Sequence, residues 1–106
     1  SRGLGDVYKR QVANSLLGTG DFIEGEVNHS ILFRNVHIHR DALVDHSIVM
    51  QGTKIGTGSS VKYAILDKGV IIGPNLALEG TPEEPLVFAK NQKVFQPDGQ
   101  GVTARA

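Results

Sequence analysis

The chain has 106 residues, 40% of them hydrophobic, with 11 basic against 11 acidic side chains, 13 glycines, and no cysteine or tryptophan. That is one small domain at most, and the missing cysteine excludes disulfide frameworks, thiol nucleophiles and Cys-ligated zinc. No apolar run approaches the ~18 residues of a membrane span, the start lacks the apolar centre of a signal peptide, and the balanced charge gives nucleic acid little to hold, so a soluble, cytoplasmic chain without membrane or nucleic-acid partners is expected.

Residues 1–11, Ser1-Arg2-Gly3-Leu4-Gly5-Asp6-Val7-Tyr8-Lys9-Arg10-Gln11, have no hydrophobic period and no continuity with the chain from Val12 onward. They read as the translation of a transposase-based sequencing adapter and are set aside as non-native. On that reading Val12 marks where a DNA fragment began, and the native N-terminus is expected to be missing. The rest of the chain then carries 8 basic against 10 acidic residues.

From Leu32 onward aliphatic residues recur near every sixth position: Leu32, Ile38, Val44, Met50, Ile55, Val61, Leu66, Ile72 and Leu78. The step is too long for alternation along one strand, and a helix would need further apolar residues three or four positions away. A chain that runs a short strand and turns, three times over, returns above its own start. Such a triangular coil stacks Leu32, Met50 and Leu66 on one face, Ile38, Ile55 and Ile72 on a second, and Val44, Val61 and Leu78 on a third. Neither core nor backbone is satisfied by one coil alone, so the coils stack as parallel strands. Gly52, Gly56, Gly58, Gly69 and Gly73 are expected at corners where φ turns positive. About three coils are expected.

Upstream of Leu32 the register weakens: Val27 lies five residues earlier, but Leu17, Phe22 and Ile23 fit less cleanly. Downstream, Glu79-Gly80-Thr81-Pro82-Glu83-Glu84-Pro85 breaks the pattern with two prolines. Leu86-Val87-Phe88 and Val94-Phe95 then offer short apolar segments suited to capping the open end. The domain is accordingly placed at residues 12–94, with a frayed polar tail over 95–106.

Few side chains carry chemistry. His37 and His39 alternate along a strand, which puts both imidazoles on one face, with His29 and His46 nearby in sequence. Two histidines at this spacing could begin a metal site, but no cysteine and no patterned acid completes one, so no metal is expected. Gly18-Thr19-Gly20 and Gly56-Thr57-Gly58 are too short for a phosphate loop and read as corners. Asp41, Asp45 and Asp67 are separated by corners and read as solvent-facing, so no catalytic residue is assigned.

The hexapeptide pattern resembles the left-handed parallel β-helix, and the resemblance, not the period, supplies the handedness. Asn14-Ser15-Leu16-Leu17, Val27-Asn28-His29-Ser30-Ile31-Leu32-Phe33-Arg34, Asp45-His46-Ser47-Ile48-Val49-Met50-Gln51-Gly52 and Ala64-Ile65-Leu66-Asp67-Lys68 resemble the carboxy-terminal domain of bacterial glucose-1-phosphate adenylyltransferase (ADP-glucose pyrophosphorylase). Ser47 to Gly52 and the closing Gly80 to Phe88 are closer to its regulatory GlgD-type subunit. The resemblance covers about residues 12 to 94 and implies an all-β fold truncated at its N-terminus.

It also implies a complete polypeptide that joins ATP and glucose 1-phosphate into ADP-glucose and pyrophosphate for glycogen biosynthesis, or that partners a subunit which does. In that family the catalytic nucleotidyltransferase domain, with its magnesium-binding acids, lies upstream. This stretch is therefore expected to be catalytically inactive and to need no cofactor. It would serve assembly with a catalytic-type subunit in a hetero- or homotetramer, and allosteric regulation. Lys68 sits where plant relatives have a lysine that contacts phosphorylated effectors, and a compact ammonium at a coil corner suits a phosphate. The alternative is a hexapeptide-repeat acyltransferase using an acyl-CoA donor, with a β-helix histidine as general base.

Overall fold

A computed structural model describes residues 12–97, so the expectation for residues 1–11 and most of that for the polar tail lie outside the described residues. In chain order the strands are β1 (Val12–Ala13), β2 (Phe22–Ile23), β3 (Glu26–Asn28), β4 (Ile31–Leu32), β5 (His37–Ile38), β6 (Leu43–Asp45) and β7 (Ile48–Val49). They continue as β8 (Lys54–Ile55), β9 (Ser60–Lys62), β10 (Ala64–Leu66), β11 (Ile71–Ile72), β12 (Ala77–Glu79), β13 (Leu86–Phe88) and β14 (Lys93–Val94). All pairings are parallel, and they form three sheets. The first sheet runs β1-β3-β6-β9-β12, the second β13-β10-β7-β4 and the third β14-β11-β8-β5-β2. This is the left-handed, hexapeptide-repeat parallel β-helix.

The strands are short because each inward apolar residue is followed by a corner. Val27, Val44, Val61 and Leu78 pair in one column and Ile23, Ile38, Ile55, Ile72 and Val94 in another. The third column corrects the sequence register. Leu32 pairs with Val49 and Val49 with Leu66, so Val49, fully buried, occupies the place expected for Met50. Neighbouring strand residues point to opposite faces, and of two adjacent apolar residues only the one matching Leu32 and Leu66 can face inward. The steps between core positions are therefore six, six and five, and the regular coil has 17 residues, as in Val27 to Val44 and Val44 to Val61. Each filled core position contributes ~1.5–3 kcal/mol.

The solenoid makes about four turns rather than the expected three, because the three regular coils, β3 to β11, are preceded by a shorter coil and followed by a longer one that the six-residue step did not reveal. In the first coil partners lie 15 apart, as in Phe22 with His37, because the corner at Glu24-Gly25 lacks the two residues that Arg40-Asp41 supply one coil later. In the last, Thr81 to Pro85 form an inserted turn closed by hydrogen bonds between Thr81 and Glu84, and partners lie 22 apart, as in Leu66 with Phe88. The segments expected to cap the end, Leu86 to Phe88 and Val94, extend the second and third sheets as β13 and β14.

The corners also differ from expectation. Gly52, Gly58 and Gly69 have φ of 75°, 74° and 67°, but Gly56 and Gly73 do not have positive φ. At Gly56 the reason for glycine is contact, since a Cβ there would lie 2.6 Å from the Gly73 carbonyl carbon. Among the described residues eight with side chains take positive φ instead: Asn14, His29, Asn35, Asp41, His46, Tyr63, Asn75 and Asn91. Asparagine and aspartate tolerate this region best; the two histidines and the tyrosine need support from their neighbours.

Candidate functional site

Three surface features arise from side chains that recur at one place in successive coils. The first lies on the corner between the second and third sheets. The Gly52, Gly69 and Asn91 amides donate to the carbonyls of Arg34, Gln51 and Lys68, at 3.1, 3.0 and 2.8 Å. Arg34, Gln51, Lys68 and Lys90 therefore climb one edge, about 4.8 Å per coil. Lys68 is exposed and lines a groove of about 490 Å³ together with Arg34, Gln51 and Lys90. These corner amides are already bonded to the preceding coil, so an anion here would be held by side chains. Arg34 offers a guanidinium fork, and Lys68 and Lys90 offer point charges. Asp67, half-buried, accepts from the Lys68 amide at 2.7 Å.

The second feature is the short corner between the first and second sheets, where the apolar step is five. The rings of His29 and His46 stack at 4.7 Å, and those of His46 and Tyr63 at 4.8 Å. Asp45 accepts from His46 Nδ1 at 3.0 Å. Behind the rings runs a serine ladder. Ser30 Oγ donates to the Asn28 carbonyl at 2.8 Å and accepts the Ser47 amide at 3.1 Å; Ser47 Oγ donates to the Asp45 carbonyl at 2.9 Å and accepts the Ala64 amide at 3.2 Å. Stacked rings and buried hydroxyls offset the backbone strain of His29, His46 and Tyr63. Beside this corner the outer face of the second sheet is aliphatic, with Ile31, Ile48 and Ile65, and the inserted turn at Thr81, Pro82 and Pro85 closes a groove of about 360 Å³ over it.

The third feature is on the outer face of the third sheet. His37 and His39 lie side by side, their rings 3.7 Å apart and within 14° of parallel. Phe22, one coil earlier, packs on His37 at 4.8 Å, and Glu24 Oε1 accepts from His37 Nε2 at 3.0 Å. That hydrogen bond holds the Glu24 carboxyl below its ordinary value. Burial pushes the His39 imidazole below its ordinary value, aided by the charges of His37 and Lys54.

The expected pairing of His37 and His39 on one face is thus present, and His29 and His46 meet on a different edge. Sequence reading missed the partners. Glu24 is the acid that spacing did not reveal, because the tight corner after it shifts the first coil to 15 residues. Arg34 lies one coil from Gln51 and two from Lys68, so the 17-residue period would have found it. Lys90 is displaced by the Thr81 to Pro85 insertion. Asp45 and Asp67 are half-buried and engaged at corners, and Asp41 is exposed.

The family model "GlmU-like, C-terminal hexapeptide" matches residues 5–102, and the chain belongs to that family. No curated protein matches the chain.

Proposed function

We propose that this β-helix is the assembly and effector-binding part of a glucose-1-phosphate adenylyltransferase subunit of the regulatory type, acting in glycogen synthesis. The observation that carries the proposal is the cationic edge: Lys68 stands between Arg34 and Lys90 in one groove, two coils from the first and one from the second. A phosphorylated metabolite presents two or more oxyanions, and an edge with three cations across four coils matches such a ligand better than a single charge does. The aliphatic outer face of the second sheet, where Ile31 and Val87 are 40% and 55% exposed, supports an assembly role beside it. The partner would be a catalytic-type subunit in a tetramer, with magnesium and the nucleotide chemistry supplied by a nucleotidyltransferase domain.

The test is titration of the 106-residue chain with fructose 1,6-bisphosphate and with inorganic phosphate, followed by NMR. Binding that shifts the Gln51 to Gly69 corner and weakens about tenfold or more in Lys68→Ala is expected, one lost charge-assisted contact being worth ~1.5–3 kcal/mol. Equal binding by Lys68→Ala and the parent chain would overturn the effector role. The chain alone should form no ADP-glucose from ATP and glucose 1-phosphate.

One observation favours a second reading. The Glu24 carboxylate orients His37 at 3.0 Å, as a general base requires, which suits a hexapeptide-repeat acyltransferase. Saturable binding of acetyl-CoA lost in His37→Ala would put that reading first.

A further inference from the structure

We propose that Glu24, His37 and His39 form a binding site for a divalent transition metal of the zinc class. Their donor atoms all lie within 4.8 Å of one another. Zinc bonds of about 2.0–2.1 Å place two ligands of a tetrahedral set about 3.3 Å apart, so side-chain rotation alone closes the set. His37 Nε2 lies 3.0 Å from Glu24 Oε1; when the neutral imidazole carries its proton on Nδ1 instead, the Nε2 lone pair and the ionised Glu24 carboxylate both face the cation in the charge state a ligand needs. Two imidazoles and one carboxylate are a borderline donor set, suited to zinc and its neighbours rather than to magnesium or calcium.

The site is built on fixed backbone. The amides of His37, His39 and Glu24 donate to the carbonyls of Thr53, Ile55 and Ile38 at 3.0, 2.9 and 2.7 Å. Ile38, between the two histidines, is fully buried and locks the strand so that both imidazoles face outward. His39 stacks on the His37 ring, and Phe22 packs against it at a tilt of 51°. All three ligands are half-buried.

Two features work against the cation and make the proposal testable. The near-parallel imidazoles must splay by rotation about χ2 for both lone pairs to meet one ion. Lys54, paired with His37 one coil on, brings a like charge to the same face. A second cluster with a suitable donor set among the described residues, His29, Asp45 and His46, has both imidazoles exposed and stacked into the corner ladder with Tyr63, so it serves as the internal control.

The experiment titrates the full chain with zinc by calorimetry and with cobalt by visible absorption, at neutral pH, on variants whose far-UV spectra match the parent. One equivalent of saturable binding is expected, with cobalt bands of low coordination number. His39→Ala and Glu24→Gln should each weaken it about tenfold or more. Lys54→Gln should tighten it, and the double variant His29→Asn and His46→Asn, which keeps residues that tolerate positive φ and is compared at a temperature where both chains are folded whatever its melting point, should leave it unchanged. Absence of saturable binding would overturn the proposal, as would loss of binding in the His29 and His46 variant with none in His39→Ala. Acetyl-CoA is absent throughout, so the result is independent of the acyltransferase reading.

Discussion

Two corners of the same solenoid solve the turn in opposite ways. On the edge of Lys68 the left-handed positions are Gly20, Asn35, Gly52, Gly69 and Asn91, residues that accept positive φ at little cost. Their neighbours Arg34, Lys68 and Lys90 are left free to face solvent and carry charge. On the short corner the left-handed positions after Asn14 are His29, His46 and Tyr63, and these side chains are committed to one another in a stack. A corner that is conformationally cheap can be given over to ligands. A corner that is strained must be held by its own side chains, with the buried hydroxyls of Ser30 and Ser47 completing it.

The largest test of this contrast removes the hydroxyl ladder. Ser47→Val leaves the Asp45 carbonyl and Ala64 amide without their partner, at about 1–3 kcal/mol for each group left unsatisfied. Chemical denaturation should show that loss, and a change under about 1 kcal/mol would mean that the ladder does not hold the strained corner.

A smaller pair of substitutions exchanges the two solutions. At Gly52 a Cβ would meet nothing nearer than the Gly69 amide nitrogen at 4.0 Å, so the cost of Gly52→Ala is conformational alone, about 1–2 kcal/mol. His46→Gly gains the same conformational relief but loses stacking on His29 and Tyr63, worth about 0.5–1.5 kcal/mol per pair, and its net effect should be near zero. Equal destabilisation by both substitutions would dissolve the distinction between the corners. Lys68→Ala, on the free edge, should alter stability by less than about 0.5 kcal/mol while abolishing or weakening anion binding.

The smallest expected effect is a pH dependence on the third sheet. Burial lowers the folded-state value of His39 below its ordinary 6.5, so the unfolded chain binds more protons in the window below 6.5. The stability contributed by neutral His39 is complete above pH 6.5 and falls as acid protonates it through its lower folded value. Melting of the metal-free chain from about pH 7.5 to about pH 5 should show a slope that His39→Ala reduces; an unchanged slope would place the titrating group elsewhere.

How far these features were legible depends on what generates them. Ile38, Ile55, Val61 and Leu78 are legible because each is the single large aliphatic residue of its strand, while Val44 beside Leu43 and Ile72 beside Ile71 are picked out by the six-residue step alone. Met50 was misread because Val49 beside it is equally apolar, and composition alone does not choose between neighbours on opposite faces. Gly56 and Gly73 look like turn residues in the sequence, but contact between coils explains their size. Lys68 was placed correctly on a corner, but its companions Arg34 and Lys90 depended on knowing that the coil has 17 residues and that five are inserted after Gly80.

The repeat, the parallel solenoid and the family resemblance are written into the order of residues, because a core made of stacked columns must recur along the chain with the length of a coil. The shared face of His37 and His39 is written there too, as a local consequence of strand alternation. Which coil-to-coil neighbours those side chains meet was settled in three dimensions. A missing pair of residues at Glu24-Gly25 and an added turn at Thr81 to Pro85 shift every contact beyond them. Side-chain partnership across coils depends on that offset, while burial of an aliphatic column tolerates it.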